Sequence, residues 1–168
     1  GQEYQVKTLI ERTLRLSDNI AFNLLVENIP TKYLVKVHQD LSITYPSEAT
    51  PEDFISVRSY SSIFRILYNA SYLSREYSEY LLNVLADTTF NEGLVAGVPN
   101  DTLVSHKFGL KNGNTHSPEY QLHDCGIVYY PSQPYLLCVM TKGNNPQALE
   151  QTITEISRAV YETVVTDQ

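Results

Sequence analysis

The 168-residue chain lacks the features that mark several large classes of protein. Two cysteines are too few for a scaffold held together by disulfides, and no Cys-x-x-Cys pair indicates a zinc site. No stretch concentrates lysine or arginine and the formal net charge is −7, so we do not expect nucleic acid as a partner. No apolar run approaches the roughly 20 residues that span a bilayer.

The remaining composition suits one globular domain. Hydrophobic residues make up 42% of the chain and charged residues 18%, which is enough to bury a core. The histidines at 106, 116 and 123 form no i,i+4 pair, and apart from Asp124 no carboxylate cluster lies near them. We therefore expect a single domain over residues 1–168, with no metal and no cofactor.

Apolar periodicity predicts helices in the first half of the chain. An amphipathic pattern runs over residues 3–16, and a second helix follows the polar triplet Ser17-Asp18-Asn19. Further helices are predicted over Thr31–Gln39, over Ser56–Asn69 and from Ser74 to about Ala86. The helical part therefore spans residues 3–90 approximately.

From residue 102 the period changes to that of strands. Strands are predicted at 102–109, 120–130 and 135–141, and Asn145 and Pro146 then begin a long C-terminal helix. Helices followed by an antiparallel meander and one helix packed on it, ending near residue 166, predict an α+β domain.

The third predicted strand, "YLLCVMT" at 135–141, is apolar at nearly every position. That pattern is typical of a strand buried on both faces and flanked by neighbours. In chain order it is the last strand, however, and an apolar edge strand is an aggregation liability. We therefore expect it to pair with a segment missing from the N-terminus of this domain, or with a second copy of the chain.

The hairpin that joins the last two strands places Cys125 and Cys138 on one face of the sheet. They are directly opposite in one register, which allows a disulfide, and diagonal in the other, which does not. The sequence does not decide between these registers, and we expect buried free thiols rather than a disulfide. A thiol–base pair of His123 with Cys125 is not expected, because side chains at i and i+2 of a strand start about 6.8 Å apart.

Two tripeptides carry polar groups that are candidates for chemistry. Ser17-Asp18-Asn19 precedes a helix, and taken alone all three are good N-cap residues. Lys107-Phe108-Gly109 ends the first strand, where a solvated lysine would need no further explanation.

Taken together, the chain from Val6 to Thr166 resembles the later part of the serine penicillin-recognising enzymes, especially the class A β-lactamase-like branch. "SDNIAFNLL" resembles the SDN motif and the helix that it opens, and "VSHKFG" resembles the KTG strand. "HDCGIVYYPSQPYLLCVMTKG" and "LEQTITEISRAVYETV" resemble the following hairpin and the closing helix. The resemblance implies the serine β-lactamase/DD-peptidase-like fold.

The resemblance also implies a hydrolase that acts on β-lactam or D-Ala-D-Ala peptide amide bonds through an acyl-enzyme, outside the cytoplasmic membrane. Its ligand would be a β-lactam or a peptidoglycan peptide. Ser17 matches the serine that passes a proton toward the leaving nitrogen, and Lys107 matches the basic residue that orients it. The positions that match substrate-binding residues are Asn19, Phe108, Gly109 and Leu110, whose N–H matches an oxyanion-hole donor worth ~3 kcal/mol.

Three departures from the family pattern limit these expectations. No serine of the chain is followed by a lysine three residues later, so the nucleophile of the Ser-x-x-Lys motif is missing. Phe108 replaces the Ser or Thr of KTG, whose hydroxyl helps bind the substrate carboxylate. The acids Glu48, Glu52 and Asp53 do not form the E-x-x-L-N pattern of the deacylating glutamate.

We therefore expect the isolated chain to be inactive. Our leading hypothesis is the C-terminal portion of a penicillin-binding or β-lactamase-like hydrolase. A non-catalytic binding or scaffolding module descended from that fold is the alternative.

Overall fold

The computed structural model describes residues 3–46, 50, 55–113, 118–131 and 133–166. The helices of this part are α1 (Val6–Leu16), α2 (Asn19–Asn28), α3 (Thr31–Asp40), α4 (Val57–Tyr68), α5 (Arg75–Ala86), a short 3-10 helix (Val95–Gly97) and α6 (Pro146–Thr166). The strands are β1 (Val104–Lys111), β2 (Tyr120–Val128) and β3 (Tyr135–Gly143). The loop acids Glu48, Glu52 and Asp53, and also His116, lie outside the described residues.

The predicted α+β class and the order of its elements are confirmed. Side-chain caps begin three of the helices where the sequence places them: Ser56 accepts from Ser59 N, Ser74 from Tyr77 N, and Asn145 from Ala148 N. None of the described helices has the length and hydropathy that a membrane span requires.

The three strands form an antiparallel sheet in the order β1-β2-β3, between two helical layers. Because strand residues alternate between faces, β2 has a separate apolar set for each layer, whereas β1 adds Val104 to one of them. On one face α6 and the segment around the 3-10 helix form a core of Leu94, Val98, Val104, Leu122, Val128, Leu149 and Ile153. On the other face α4 and α5 form a core of Phe64, Leu82, Leu85, Cys125 and Ile127.

Strand β3 lies at one edge of this sheet, and none of its residues is fully buried. Burial on both faces, which its apolar sequence predicts, is therefore not found. The exposed side chain of Leu136 is the clearest case, with 39% of its surface accessible. In the described part of the chain no strand pairs with the outer edge of β3.

The two cysteines lie directly opposite each other in the β2–β3 register and form a disulfide. The expectation of free thiols is wrong, because it depended on a register that the sequence leaves open. Lys107 lies opposite Cys125 in the β1–β2 register, so one row across the sheet contains Lys107, Cys125 and Cys138.

Replacing both cysteines with alanine should lower the free energy of unfolding by about 3 kcal/mol, as expected for a cross-link that closes a short loop. The cysteines are separated by 13 residues in sequence. Urea denaturation of the oxidised protein and of the double variant measures the difference. A reducing agent should destabilise the original protein and leave the variant unchanged; equal stability of the two would contradict the prediction.

No strand of the described residues pairs with the outer edge of β3, and this edge lies beside apolar side chains. We therefore expect the isolated chain to self-associate by strand pairing. Sedimentation velocity should then show a dimer or larger species. Leu136→Lys, which places a charge on this edge, should shift the distribution toward the monomer. A clean monomer with fast amide exchange along residues 136–141 would argue against such pairing.

Candidate active site

The three residues of the polar triplet between α1 and α2 have different roles. Ser17 ends α1 in the left-handed conformation, with φ 51° and ψ 38°. Asp18 is the N-cap of α2 and accepts from the backbone N–H groups of Ile20 at 2.9 Å and Ala21 at 3.1 Å. Asn19 is the first residue of α2 and is exposed. Only Asp18 therefore caps the helix, and the hydroxyl of Ser17 is left for another contact.

The conformation of this turn is held by charge as well as by capping. Arg12 donates to Oδ2 of Asp18 from Nε at 2.8 Å and from Nη2 at 2.6 Å. The backbone N–H of Ala21 and this guanidinium lower the pKa of the Asp18 carboxyl below its ordinary value. Asp18 therefore remains an anion at neutral pH and keeps the entry to α2 fixed.

The end of α1 is attached to the segment that follows α5. The carbonyl oxygen of Arg15 accepts from Oγ1 of Thr88 at 3.1 Å and from the backbone N–H of Thr89 at 3.2 Å. The guanidinium of Arg15 also pairs with the carboxylate of Asp87 at 2.5 Å. These contacts place Ser17, two residues farther along, beside the region where α5 ends.

Strand β1 is attached to α5 and α4 on the same side. The hydroxyl of Ser105 donates to the carbonyl oxygen of Leu82 in α5 at 2.8 Å. The hydroxyl of Tyr60 in α4 donates to the carbonyl oxygen of Lys107 at 2.6 Å. Burial and the nearby charge of Asp124 raise the pKa of Tyr60, so this phenol stays protonated and remains a donor.

The side chain of Lys107 joins β1 to the turn between α1 and α2. Its Nζ donates to Oγ of Ser17, which is 90 residues away in sequence. It also donates to the carbonyl oxygen of Phe108 at 2.7 Å and lies over the Phe108 ring, 4.3 Å from its centroid. Burial lowers the pKa of Lys107 to about 8, and the opposing effect of the charge on Asp124 is smaller.

The residues that follow Lys107 form one wall beside this contact. The ring of Phe108 stacks on Phe90, with 4.0 Å between centroids and 17° between planes. Gly109 is exposed, and an added Cβ there would meet no atom within 4 Å. Leu110 is 50% exposed. The backbone of β1 after Lys107 is therefore open to an approaching molecule.

Five of the six residues singled out from the sequence thus lie together. Ser17 and Lys107 are in direct contact, and Phe108 contacts Lys107. Gly109 and Leu110 continue the same strand. Among the described contacts none joins Asn19 to Lys107, although Asn19 lies two residues from Ser17.

The sequence analysis missed a buried pair on the opposite face of β1. Nδ1 of His106 lies 2.8 Å from Oδ1 of Asp124, and both side chains are fully buried. Oδ2 of Asp124 accepts from the backbone N–H of Leu94 at 3.0 Å. Gly93, with φ +60°, is required beside it, because an added Cβ would lie 2.6 Å from Oδ2 of Asp124. Neither periodicity nor local spacing indicates this pair, since it joins residues 18 apart across two strands.

Comparison with solved structures assigns the fold to the class A β-lactamase and PBP-A group. PBP-A matches with a TM-score of 0.79 and 21% identity over 98% of this chain and 63% of its own. A mutant of PBP-A, solved as an acyl-enzyme complex with penicillin G, matches with a TM-score of 0.78 and 22% identity over 98% of this chain and 63% of its own. The TLA-3 extended-spectrum beta-lactamase matches with a TM-score of 0.81 and 21% identity, over 98% of this chain and 66% of its own. A beta-lactamase from Chitinophaga pinensis matches with a TM-score of 0.78 and 22% identity, over 98% of this chain and 67% of its own.

A family profile described as the Beta-lactamase enzyme family matches residues 1–164, and the chain belongs to this family. The resemblance stated from the sequence is thereby confirmed. The chain spans less than two thirds of the length of PBP-A.

The lowered pKa of Lys107 predicts that stability rises with pH between about 8 and the ordinary lysine value of 10.5. In this interval the unfolded chain binds a proton at Lys107 that the folded chain does not, so raising the pH favours folding. Urea denaturation across this range should show the free energy of unfolding changing more favourably with pH in the original protein than in Lys107→Met. The comparison is needed because buried tyrosines such as Tyr60, whose pKa is raised, favour unfolding as the pH approaches 10.

The matched control is Lys32→Met, which removes an exposed lysine of α3 and should keep the full rise. Direct titration of Lys107 Nζ by NMR gives an independent check. A midpoint near 10.5 would contradict the burial of this ammonium group.

Proposed function

We propose that this chain contributes the proton-transfer side of a serine hydrolase that acts on β-lactam or D-Ala-D-Ala peptide amide bonds. The observation that carries the proposal is the hydrogen bond from Lys107 Nζ to Ser17 Oγ, which joins two polar residues across 90 positions of the chain. A hydroxyl held by a half-buried lysine at an open strand edge is suited to proton transfer. The nucleophilic serine would come from a Ser-x-x-Lys segment outside these 168 residues, since none of them forms that pattern.

The chemistry assigned to this side of the site is breakage of the amide bond during acylation. The nucleophilic serine gives its hydroxyl proton to the lysine of its own Ser-x-x-Lys segment, and its oxygen adds to the carbonyl carbon. The C–N bond then breaks, and the leaving nitrogen takes a proton from the hydroxyl of Ser17. Lys107, protonated below its pKa of about 8, returns a proton to Ser17. Its contact with Ser17 also holds the hydroxyl in one orientation.

The backbone after Lys107 is proposed to bind the carbonyl oxygen of the substrate. The open space around Gly109 lets a ligand approach the strand, and Leu110 is half exposed beside it. A well-aimed backbone N–H at Leu110 would stabilise the developing oxyanion by ~3 kcal/mol. Asn19, exposed at the start of α2, is proposed to contact the substrate from the other side.

The family relatives support the choice of ligand, and the disulfide supports a location outside the cytoplasmic membrane. One similar structure is an acyl-enzyme complex of a PBP-A mutant with penicillin G, so this fold accommodates such a ligand in that protein. Disulfides form and persist in oxidising compartments, and Cys125 and Cys138 are joined.

A non-catalytic binding module is the second candidate, and the position of Phe108 favours it. Phenylalanine cannot donate a hydrogen bond, and its ring packs on Phe90. The reading frame upstream of Gly1 discriminates between the candidates. A Ser-x-x-Lys helix encoded there supports the enzyme, and its absence supports the module.

The 168-residue chain alone should form no covalent adduct with penicillin, because it contains no Ser-x-x-Lys serine. In a protein extended by an upstream Ser-x-x-Lys segment, acylation should occur, and Ser17→Ala should slow it by at least about 100-fold, the usual contribution of a positioned proton donor. Intact-mass spectrometry measures both results.

Lys32→Met is again the matched surface control, expected to acylate at the original rate. A stable adduct on the 168-residue chain would show that its nucleophile lies within it. Acylation of the extended protein that is unaffected by Ser17→Ala would remove Ser17 from the proposed mechanism.

A further inference from the structure

A groove lies between α4 and β3, the strand at the edge of the sheet. Two adjoining cavities of about 190 and 410 Å³ form it, and both are lined by Arg65 and Leu136. The larger cavity is also lined by Arg58, Ser61 and Ser62. These four residues of α4 follow the spacing i, i+3, i+4 and i+7, so they lie on one face of the helix. This arginine groove is therefore polar on the side of the helix and apolar at Leu136.

The two arginines of this groove have no acidic partner among the described residues, and α4 itself contains no acidic residue. Six other cations of the described chain do pair with a carboxylate: Lys7, Arg12, Arg15, Lys36, Arg75 and Lys142. Arg58 and Arg65 are exposed, so water solvates their guanidinium groups in the isolated chain. A molecule that covers the groove removes this water and leaves two charges that need partners.

The sheet beside the groove has room for a further strand, since no strand of the described residues pairs with the outer edge of β3. Alternation along β3 places Leu136 and Cys138 on the side of α4, and Leu137 and Val139 on the side of the α6 core. A strand added beside β3 would alternate in the same way. Every second side chain of that strand would therefore face the arginine groove, and the others would face the α6 core.

A second copy of β3 does not supply the chemistry that this position needs. The strand Tyr135–Gly143 has no acidic residue, and its only charged residue is Lys142. Two paired copies of β3 would therefore cover the arginines without offering them a carboxylate. A carboxylate, in contrast, can accept two parallel hydrogen bonds from one guanidinium group. A strand with acidic side chains at the positions that face α4 should thus displace a second copy of the chain.

We propose that the sheet is completed at β3 by a strand that is acidic on the side of α4 and apolar on the side of α6, and that this strand belongs to a segment of the same protein outside these 168 residues. Its acidic side chains pair with Arg58 and Arg65, which lie about 10 Å apart along the axis of α4. This chain covers 63% of PBP-A, so that relative contains enough further chain to supply such a strand. The proposal concerns the assembly of the sheet and does not depend on the chemistry proposed at Ser17.

The test uses two labelled nine-residue peptides, the length of β3, and measures their binding to the 168-residue chain by fluorescence anisotropy at low ionic strength. One peptide alternates valine with glutamate, and the other has glutamine in place of glutamate. Both are used at concentrations at which the free peptides are monomeric. The glutamate peptide should bind at least about tenfold more tightly, because only its side chains neutralise the arginines. The double variant Arg58→Gln with Arg65→Gln should bind both peptides equally.

Arg158→Gln is the matched control, because it removes an exposed arginine of α6 on the opposite face of the sheet and should keep the full preference. Equal binding of the two peptides by the original chain, or no binding of either, would overturn the proposal. A dimer through β3 that the glutamate peptide does not dissociate would also overturn it, since a second copy would then be the occupant. If the glutamate peptide binds tightly but the adjoining reading frame encodes no alternating acidic segment, a separate protein is the source and the assignment to the same protein is wrong.

Discussion

The carboxylate of Asp124 is the constraint on which the placement of β1 depends. A carboxylate with no exposure to water must have its oxygens hydrogen-bonded, and here one faces His106 while the other accepts from the N–H of Leu94. These bonds join β1, β2 and the segment before the 3-10 helix at one point. Residue 93 must be glycine, because a Cβ at this position would lie too close to Oδ2 of Asp124. Loss of the carboxylate would therefore loosen three parts of the fold together.

The alternation of side chains along β1 links that anchor to the position of Lys107. His106 faces the α6 layer and is fixed by Asp124, so its neighbour Lys107 must face the opposite layer, where Ser17 lies. The same strand is thus a core element on one face and part of a candidate site on the other. Ser17 reaches it because the end of α1 is bonded to the segment after α5.

Local sequence patterns predict where the helices and strands lie, but they do not predict which residues pair across the sheet. Periodicity and caps predicted the helices and strands, and the order of two tripeptides brought Ser17 and Lys107 together by resemblance. Which residue of the triplet caps α2 depended on backbone geometry at Ser17, and the disulfide depended on the register between β2 and β3. The His106–Asp124 pair was missed for the same reason, because contacts between strands leave no periodic signal in either strand.

The two outer strands of the sheet, β1 and β3, differ in their exposed side chains and backbone. β1 carries Lys107 and the open space around Gly109, while β3 carries apolar side chains and an outer edge with which no strand of the described residues pairs. A strand added beside β3 would lie three inter-strand spacings from β1, roughly 14 Å away. A strand that paired with β3 would therefore leave the proposed ligand-binding side of β1 uncovered.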